Sequence, residues 1–490
     1  MRHGAAGLRP KLKLEAMARP PTRTASTWIA AGVLAALAGC SVTPIYQRPD
    51  GAIPASWSHA PNAAADAVTS APSEWWRAFG SPELDALVAR GLAGGFDLRI
   101  ALHRLEQARG RAKMAGAARY PSLDAGAGAS RSGPGAAGKS GVTLQGGIDL
   151  DAWGRNGAIA SSALSLAEAA RFDADAVKAS LAGAIAGTYF QALSLNERVR
   201  LAGLIAEDTR KTLQLVETQA RLGAASQLEV EQQRNVLQTV EAGIPLLAQQ
   251  RDQAIGDLAV LLGTVPEGLQ LAAQDLATVR VPDVAADAPA DAIARLPQVR
   301  SAEEQLKAAN FDVGAARAAF LPALSLTATL GAAFNPAQAL WSVAGSVLQP
   351  LFDGGLRQGQ LRVDRAHAEE LVVTYRKAIA QALQLAESQM QLAAATREAE
   401  RLDQAAVTSA QRALELARVR LQHGATDFLT VLVSERTLYQ AEDTALQIRL
   451  QRLQATVGLF GALGSGQPVL GADASPAVPV AHNSNTRGTP

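Results

Sequence analysis

The chain has 490 residues, of which 48% are hydrophobic but only 4% aromatic; alanine and leucine dominate, with Gln, Glu and Arg between them. This composition favours long helices over compact sheet domains. The 46 Lys and Arg residues balance 45 Asp and Glu residues, so no excess charge points to a nucleic-acid partner. A single cysteine excludes a disulfide within the chain, and the six scattered histidines lack the spacing of metal ligands.

The sequence contains no constellation typical of an active site. His103, His367 and His423 have no Asp or Cys at a useful spacing, and the glycine-rich stretch 126–147 lacks the Lys-Ser/Thr pair of a phosphate cradle. We therefore predict a protein that is not an enzyme, with no metal site and no cofactor.

The N-terminus has the pattern of an export signal over residues 1–39. Arg19 and Arg23 precede an apolar run that is shorter than the roughly 20 residues of a membrane-spanning helix. Met17 is a second candidate start beside Met1, because residues 1–16 make the basic region unusually long.

The signal ends in Leu37-Ala38-Gly39-Cys40, which resembles a bacterial lipoprotein box. The resemblance implies a covalent lipid on Cys40, and Ser41 beside it matches the pattern of lipoproteins sorted to the outer membrane. Several acyl chains would give a stable anchor. A non-lipidated signal, in which Cys40 is incidental, is the alternative.

Two irregular stretches flank the predicted body. Residues 40–73 contain five prolines and are predicted to form the lipid anchor and an extended linker. Residues 465–490, rich in Gly, Pro, Ala and Asn, are predicted to be disordered. The mature chain has no apolar run long enough for a transmembrane helix, so a membrane crossing would require a closed β-barrel.

Between these stretches the sequence repeats itself once, at an offset of about two hundred residues, unlike the shorter period of a solenoid. The matching segments are Tyr120-Pro121 with Leu321-Pro322, Asp151-Ala152-Trp153-Gly154-Arg155 with Leu351-Phe352-Asp353-Gly354-Gly355, Arg221-Leu222-Gly223 with Arg420-Leu421-Gln422-His423-Gly424, and Leu261-Leu262-Gly263 with Leu459-Phe460-Gly461. We predict a first repeat over residues 74–266 and a second over 267–464.

Each repeat is predicted to contain a helix, a β-hairpin, a very long helix, a turn and a further helix. In the first repeat the first helix covers Pro82 to Arg119, and the long helix covers Gly157 to Leu222 without a proline. At about 1.5 Å per residue the long helix reaches on the order of 100 Å, which indicates a coiled coil.

Residues spaced three, four or seven apart predict the packing seams of these helices. One seam comprises Leu181, Ile185, Ala192, Leu195 and Val199; the others comprise Leu402, Ala406, Ser409, Ala413 and Leu416, and Leu438, Ala441, Ala445 and Ile448. Glu398 with Arg401, and Glu415 with Arg418, are predicted to be exposed ion pairs at helical spacing.

The hairpins alternate apolar and polar residues, as at residues 142–150 and 324–330. Strict alternation over about 9 residues is typical of a transmembrane β-strand, with one face towards lipid and the other towards a lumen. Each repeat supplies two strands, and four strands are too few for a barrel, the smallest of which have about eight. The chain must then oligomerise, as a dimer, trimer or tetramer.

The sequence resembles outer-membrane efflux proteins of the TolC family, in the lipoprotein branch that serves resistance-nodulation-division pumps. Five features together carry the resemblance: the lipoprotein box, the proline-rich linker, the duplication, the hairpin positions and the Leu351-Phe352-Asp353-Gly354-Gly355 block. The resemblance covers about Cys40 to Leu463. It implies a homotrimer with four strands per chain in a twelve-stranded membrane β-barrel, continued into the periplasm by a barrel of long helices. Its partners would be outer-membrane lipid, a periplasmic adaptor protein and an inner-membrane transporter.

The resemblance also places a pore gate after the second helical turn. Matched through residues 426–432, the gate positions are Leu429, Val433 and Arg436. The family commonly has an aspartate where this chain has Val433, so an apolar constriction that resists wetting replaces a carboxylate ring. Glu435 points elsewhere on the helix. The alternative is that Leu429 and Val433 are ordinary seam residues.

The two helical turns are the second surface implied by the resemblance, as contacts for the adaptor. The matching residues are Gly223, Ala224, Ala225 and Ser226 in the first turn and Gly424, Ala425 and Thr426 in the second. Gly223 and Gly424 also suit left-handed helix ends, and Ser226 and Asp427 suit N-caps, without any partner. Asp151, Trp153, Asp353 and Gly354 are predicted to be structural corners between strand and helix.

Three functions fit these patterns. The first is an outer-membrane efflux channel that passively conducts substrates delivered by the inner-membrane transporter. The second is the exit duct of a type I secretion system, and the third is a lipid-anchored coiled-coil scaffold without a pore. The lipoprotein box favours the first over the second, and the alternating hairpins argue against the third.

Overall fold

The computed structural model describes residues 42–59, 68–69, 74–131, 133, 138–272, 275–334 and 337–464. Cys40, the predicted export signal and the predicted disordered tail lie outside these ranges. Among the described residues, no helix combines the length and the apolar character needed to cross a membrane.

The described chain is mostly helical, and the duplication governs its element lengths. The helices are α1 (Pro82–Gly94), α2 (Phe96–Ala117), α3 (Arg155–Arg221), α4 (Gln227–Leu261), α5 (Pro289–Arg295), α6 (Pro297–Ala318), α7 (Leu356–Gln422) and α8 (Phe428–Ala462). The long helices α3 and α7 each have 67 residues, and the returning helices α4 and α8 each have 35. The prediction of one long and one shorter helix around a turn is confirmed in both repeats.

One predicted helix was wrong. The segment Pro82 to Arg119 is two helices, α1 and α2, which are separated at Gly95. A side chain at Gly95 would lie 2.7 Å from the Gly91 carbonyl oxygen and 2.8 Å from Leu181 Cδ2. The chain turns where only a glycine fits against its neighbours.

The chain divides into two compact units. The first contains the described parts of Met1–Thr43, with Ala118–Ala158 and Gly314–Arg357; the second contains the remaining described residues. The first unit carries a four-stranded antiparallel sheet of β2 (Ser122–Ser130), β3 (Lys139–Leu150), β5 (Ala323–Phe334) and β6 (Ala337–Leu348), in the order β2-β3-β5-β6. Two short strands, β1 (Val68–Thr69) and β4 (Val284–Ala285), pair in parallel in the second unit. A two-stranded hairpin in each repeat was predicted, and this is confirmed.

The register gives the four-stranded sheet one apolar and one mostly polar face, because residues paired across neighbouring strands share a face. Pairing aligns Leu144 with Leu330 and Trp341, and Ala328 with Val343. The other face carries Asp124, Gln145, Thr329, Ser342, Asp149, Ser325 and Ser346. The apolar face is exposed at Leu326, Leu330, Trp341, Val343 and Val347.

Strand-to-helix corners are held by aspartates, as predicted for Asp151 and Asp353. The Asp151 carboxylate accepts hydrogen bonds from the amides of Asn156 (2.9 Å) and Gly157 (2.7 Å). The Asp353 carboxylate accepts from the amides of Gly355 (3.0 Å) and Arg357 (3.3 Å). These bonds satisfy donors that the first turn of a helix leaves unpaired.

The main core of the second unit joins both repeats. An aromatic cluster brings Trp75 and Phe79 against Phe190 of α3 and Phe460 of α8, and the Trp75 and Phe460 rings stack at 5.3 Å. Aromatic pairs of this kind add stability beyond their buried area. Four of the scarce aromatic residues therefore pack where the two repeats meet.

The predicted seam is confirmed on α3, whereas the predicted seam on α7 does not pack within the described chain. Leu181, Ile185, Ala192 and Leu195 are buried, and Val199 is half-buried. On α7 the residues chosen for the seam (Leu402, Ala406, Ser409, Ala413 and Leu416) are all exposed, and Ala410, Leu414 and Ala417 are buried instead. Two parallel apolar stripes run along α7, and the single chain covers the one richer in alanine.

Candidate functional site

The two helical turns have the same backbone. After α3, the Ala224 amide donates to the Gln219 carbonyl (2.8 Å) and the Gly223 amide to the Ala220 carbonyl (3.0 Å); after α7, Ala425 and Gly424 make the equivalent bonds to Arg420 and Leu421. Gly223 and Gly424 have φ angles of 76° and 67°. This is the Schellman arrangement, in which a left-handed residue satisfies the last carbonyls of a helix. The predicted role of both glycines is confirmed.

The returning helices begin with the predicted N-caps. Ser226 and Glu229 form a reciprocal capping box, with the Ser226 amide donating to Glu229 Oε2 at 2.6 Å. Asp427 Oδ1 accepts from the Thr430 amide (3.0 Å) and hydroxyl (2.6 Å), and these bonds lower the pKa of the Asp427 carboxyl. Both caps fix the direction in which α4 and α8 leave the turn.

Leu429, Val433 and Arg436 form an exposed stripe on the first turns of α8. Leu429 is 51% and Val433 56% exposed, and Arg436 is also exposed. The spacing of four and three places them on one face of the helix. The opposite face is buried through Phe428, Val431, Glu435 and Leu438. The three predicted gate residues therefore lie together, and they pack in no seam within the described chain.

Behind this stripe lies a polar cluster that ties the two repeats together. Glu435, 1% exposed, pairs with Arg418 of α7 at 2.8 Å, and Arg418 pairs with Asp208 of α3 at 2.8 Å. The Tyr439 hydroxyl donates to Asp208 Oδ2 at 3.0 Å. Burial raises the pKa of the Glu435 carboxyl above its ordinary 4.5, against the lowering effect of Arg418. A buried carboxylate of this kind depends on its charged partner.

The predicted Glu415–Arg418 pair was wrong, because Arg418 turns towards Asp208 and Glu435 instead. The Glu398–Arg401 pair is confirmed at 2.6 Å. The sequence held a signal for the missed cluster. Glu435 lies four residues after Val431 and three before Leu438, which is a charged residue inside an apolar helical stripe.

The predicted turn residues differ in how far they are available to a partner. Gly223, Ser226 and Gly424 are exposed, whereas Ala225 and Thr426 are half-buried. Ala225 packs against the cluster of Val216, Val230 and Phe428. The exposed surface of the turns is thus formed mainly by the glycines, Ser226 and neighbouring residues such as Leu222 and His423.

Comparison with known proteins identifies the family. The family described as outer membrane efflux protein matches the chain twice, over residues 87–264 and 288–465. The pyoverdine export outer membrane protein OpmQ of Pseudomonas aeruginosa is 36% identical over 88% of this chain and 94% of its own length. The cation efflux system protein CusC of Escherichia coli K12 is 30% identical over 89% of this chain and 98% of its own.

Solved structures agree with the sequence comparison. A CusC crystal structure superposes with a TM-score of 0.79 at 27% identity, covering 87% of this chain and 100% of that one. The open-state MtrE outer membrane channel of Neisseria gonorrhoeae superposes with a TM-score of 0.80 at 26% identity, covering 87% and 98%. With the matched repeats and the paired long helices, these comparisons show that the chain belongs to the outer membrane efflux protein family, whose members are the outer-membrane channels of efflux pumps.

Proposed function

We propose that three copies of this chain assemble into one exit duct, with twelve strands in the outer-membrane barrel and the long helices forming a periplasmic tunnel. The amphipathic sheet is the observation that carries the proposal. Its apolar face is exposed at Trp341, Val343 and Val347, and its opposite face is mostly polar. Such a sheet suits lipid on one side and water on the other.

The edges of the sheet support assembly from several copies. Within the described chain β2 pairs only with β3, and β6 only with β5. Unpaired strand edges are costly in lipid, because no water satisfies their amides and carbonyls. The exposed Leu402–Leu416 stripe of α7 gives a second apolar surface for a neighbouring copy.

We further propose that Cys40 carries a covalent lipid, which ties the duct to the outer membrane. The described segment after it supports an ordered attachment to the second unit. Arg48 pairs with Glu303 at 2.9 Å, and the Pro44 carbonyl accepts from Asn310 Nδ2 at 2.7 Å. The domain bounds that we propose follow the sequence repeats, 74–266 and 267–464, after the linker 40–73.

The partners proposed for the duct are a periplasmic adaptor and an inner-membrane transporter of the resistance-nodulation-division class. CusC and OpmQ are named for cation efflux and pyoverdine export. Relatives named for such different substrates support the view that the transporter selects the substrate and that the duct conducts it passively. The helical turns, exposed at Gly223, Ser226 and Gly424, are the proposed contact for the adaptor.

Leu429, Val433 and Arg436 are proposed to narrow the tunnel after the second turn. Three copies of an exposed Leu429 and Val433 would form an apolar ring, and apolar constrictions resist wetting. The ring rests on α8, which the Glu435–Arg418 pair holds against α7. This gate would work without a carboxylate at position 433.

Assembly and conduction test the main proposal together. Protein extracted from outer membranes should run as a trimer on gels without heating, show β signal in circular dichroism, and form channels in planar bilayers. A lipid-anchored scaffold would give helix signal without conductance. Metabolic labelling with palmitate should mark the wild type but not Cys40→Ser, and equal labelling would contradict the anchor.

A test of the adaptor contact requires a variant that keeps the backbone of the turn intact. His423→Trp adds bulk beside Gly424 without straining that residue, and it should abolish drug or metal resistance while trimers still form. Gln249→Trp, on an exposed part of α4 away from the turns, is the bulk control and should keep resistance. Unchanged resistance in His423→Trp would count against the contact.

A further inference from the structure

A cavity of about 240 Å³ lies between α3, α7 and α8, apart from the turns and the proposed gate. Its walls are largely apolar. The lining residues are Leu201, Leu204, Val407, Ala445 and Leu446, with the charged residues Glu197, Arg200 and Glu442. The three helices come from both repeats, so the cavity exists only because the repeats pack together.

The charges around this cavity leave a surplus of carboxylate. The Arg200 guanidinium lies 3.7 Å from the Asp275 carboxylate, whose negative charge balances its positive charge. Glu197 is buried and accepts the Leu276 amide at 2.5 Å. Glu442 has only a 3.5 Å hydrogen bond from Gln411, and no Lys, Arg or His nitrogen of the described residues lies within 4.0 Å of it. A cationic ligand could therefore approach the Glu442 carboxylate without displacing a cationic side chain that is already paired with it.

These features select one class of ligand. Apolar walls favour a solute whose own apolar surface is removed from water on binding, whereas a hydrated inorganic ion gains no binding free energy from such walls. The carboxylate favours a cation and disfavours an anion. We propose that this cavity binds small amphiphilic organic cations, with the apolar part against Leu204 and Leu446 and the charged group beside Glu442. The site deepens the proposed function, because it would give cationic cargo a binding site on the chain, and it rests on that function for its use.

A second cavity supplies an internal control. It has a volume of about 440 Å³ and lies between α3, α4 and α8. Six glutamines line it (Gln191, Gln250, Gln253, Gln447, Gln451 and Gln454), together with Asp257 and with Arg198, which pairs with Asp443 at 2.6 Å. It also offers a carboxylate, but its walls are mainly amide groups. Binding that depends on Glu442 and not on Asp257 would therefore report the apolar cavity rather than negative charge in general.

The test is calorimetric titration of the full-length trimer in lipid nanodiscs with benzyltrimethylammonium, and with benzenesulfonate as the anionic counterpart. The wild type should bind the cation and not the anion. Glu442→Gln keeps the shape and should weaken cation binding about tenfold, equivalent to about 1.4 kcal/mol. Asp257→Asn should bind like the wild type. Leu204→Gln, at an exposed position that tolerates change, should also weaken binding.

Equal affinity in Glu442→Gln and the wild type would overturn the proposal, as would equal losses in Glu442→Gln and Asp257→Asn. Tight binding of benzenesulfonate would do the same. The same preparations are measured for conductance in planar bilayers. Channels that conduct without binding the cation contradict only the cavity site, whereas preparations without conductance contradict the proposed duct.

Discussion

The two helical turns of this chain have the same backbone and different side chains. The first joins α3 to α4 and the second joins α7 to α8, with the same left-handed glycine and the same hydrogen bonds. Their buried anchors also correspond, since Val230 and Val431 are both 3% exposed. Duplication thus kept what the turn needs in order to fold, namely the cap, the glycine and the apolar anchor.

The turns diverge at positions that folding leaves free. Where the second turn exposes Val433, the first has Gln232; where the second buries Glu435, the first has Arg234. Arg234 pairs with Glu217 and Glu231 at half-exposed positions, whereas Glu435 has a nearly buried side chain. The asymmetry between the turns, rather than the turn fold itself, supports the proposal that α8 carries the gate.

The largest expected effect comes from removing Arg418. Arg418→Ala leaves the buried Glu435 carboxylate without its cation, which should destabilise the start of α8 by about 2 kcal/mol, less than for a fully buried pair because Arg418 is partly exposed. The measurement is hydrogen exchange of the α8 amides near the turn. Arg234→Ala is the matched control in the first turn and should leave α4 protection unchanged, since exposed pairs contribute little. Similar losses in both turns would remove the proposed asymmetry.

The next effect concerns the apolar stripe. Val433→Ala widens the proposed constriction and lowers its resistance to wetting, so closed-state leakage in planar bilayers should rise several-fold. Gln232→Ala makes a comparable truncation at the corresponding site of the first turn and should leave leakage at the wild-type level. Unchanged leakage in Val433→Ala would contradict the gate assignment.

The sequence was sufficient wherever local chemistry decides structure. The left-handed turns at the glycines follow from backbone dihedral preference, the helix starts at Ser226 and Asp427 follow from N-capping, and the strands follow from alternation of apolar and polar residues. All three depend only on residues close together in the chain. Prediction from the sequence failed where a segment distant in the chain decides which residues are in contact. The partners of Arg418 are Asp208 in the other repeat and Glu435 on the next helix, and a pairing rule based on helical spacing chose Glu415 instead.

The apolar stripe that the described chain buries on α7 was missed for a related reason. Leu402 and Leu416 form a better apolar stripe than Ala410 and Ala417, yet the latter are buried. Periodicity finds apolar faces but does not identify which neighbour covers each of them. Gly95 shows the same limit, because the carbonyl of Gly91 and the side chain of Leu181 decide the break between α1 and α2.

Smaller and equal effects are expected where the turns are alike. Gly223→Ala and Gly424→Ala should each destabilise the local turn by about 1 kcal/mol, because a left-handed conformation strains any residue with a Cβ. No atom lies within 4 Å of either added Cβ, so the cost is conformational alone. Hydrogen exchange of the turn amides measures it. Gly110→Ala, inside α2, is the control and should stabilise its helix slightly; clearly unequal effects of the two turn variants would show that their backbones differ.

The smallest expected effect is a pH dependence confined to the second turn. The pKa of Glu435 is raised in the folded chain, so its contribution to stability is complete below the unfolded value near 4.5 and is lost as pH rises through the folded value. Acidification within that window should therefore increase hydrogen-exchange protection, corrected for the intrinsic rate, at the start of α8. The Asp427 pKa is lowered, so that group loses its contribution only below its ordinary 3.8 and does not interfere. Glu435→Gln should abolish the dependence, and the first turn, with Arg234 at the corresponding position, should not show it. A fall in α8 protection across this window would mean that breaking the ion pair with Arg418 outweighs the relief of burying a charge.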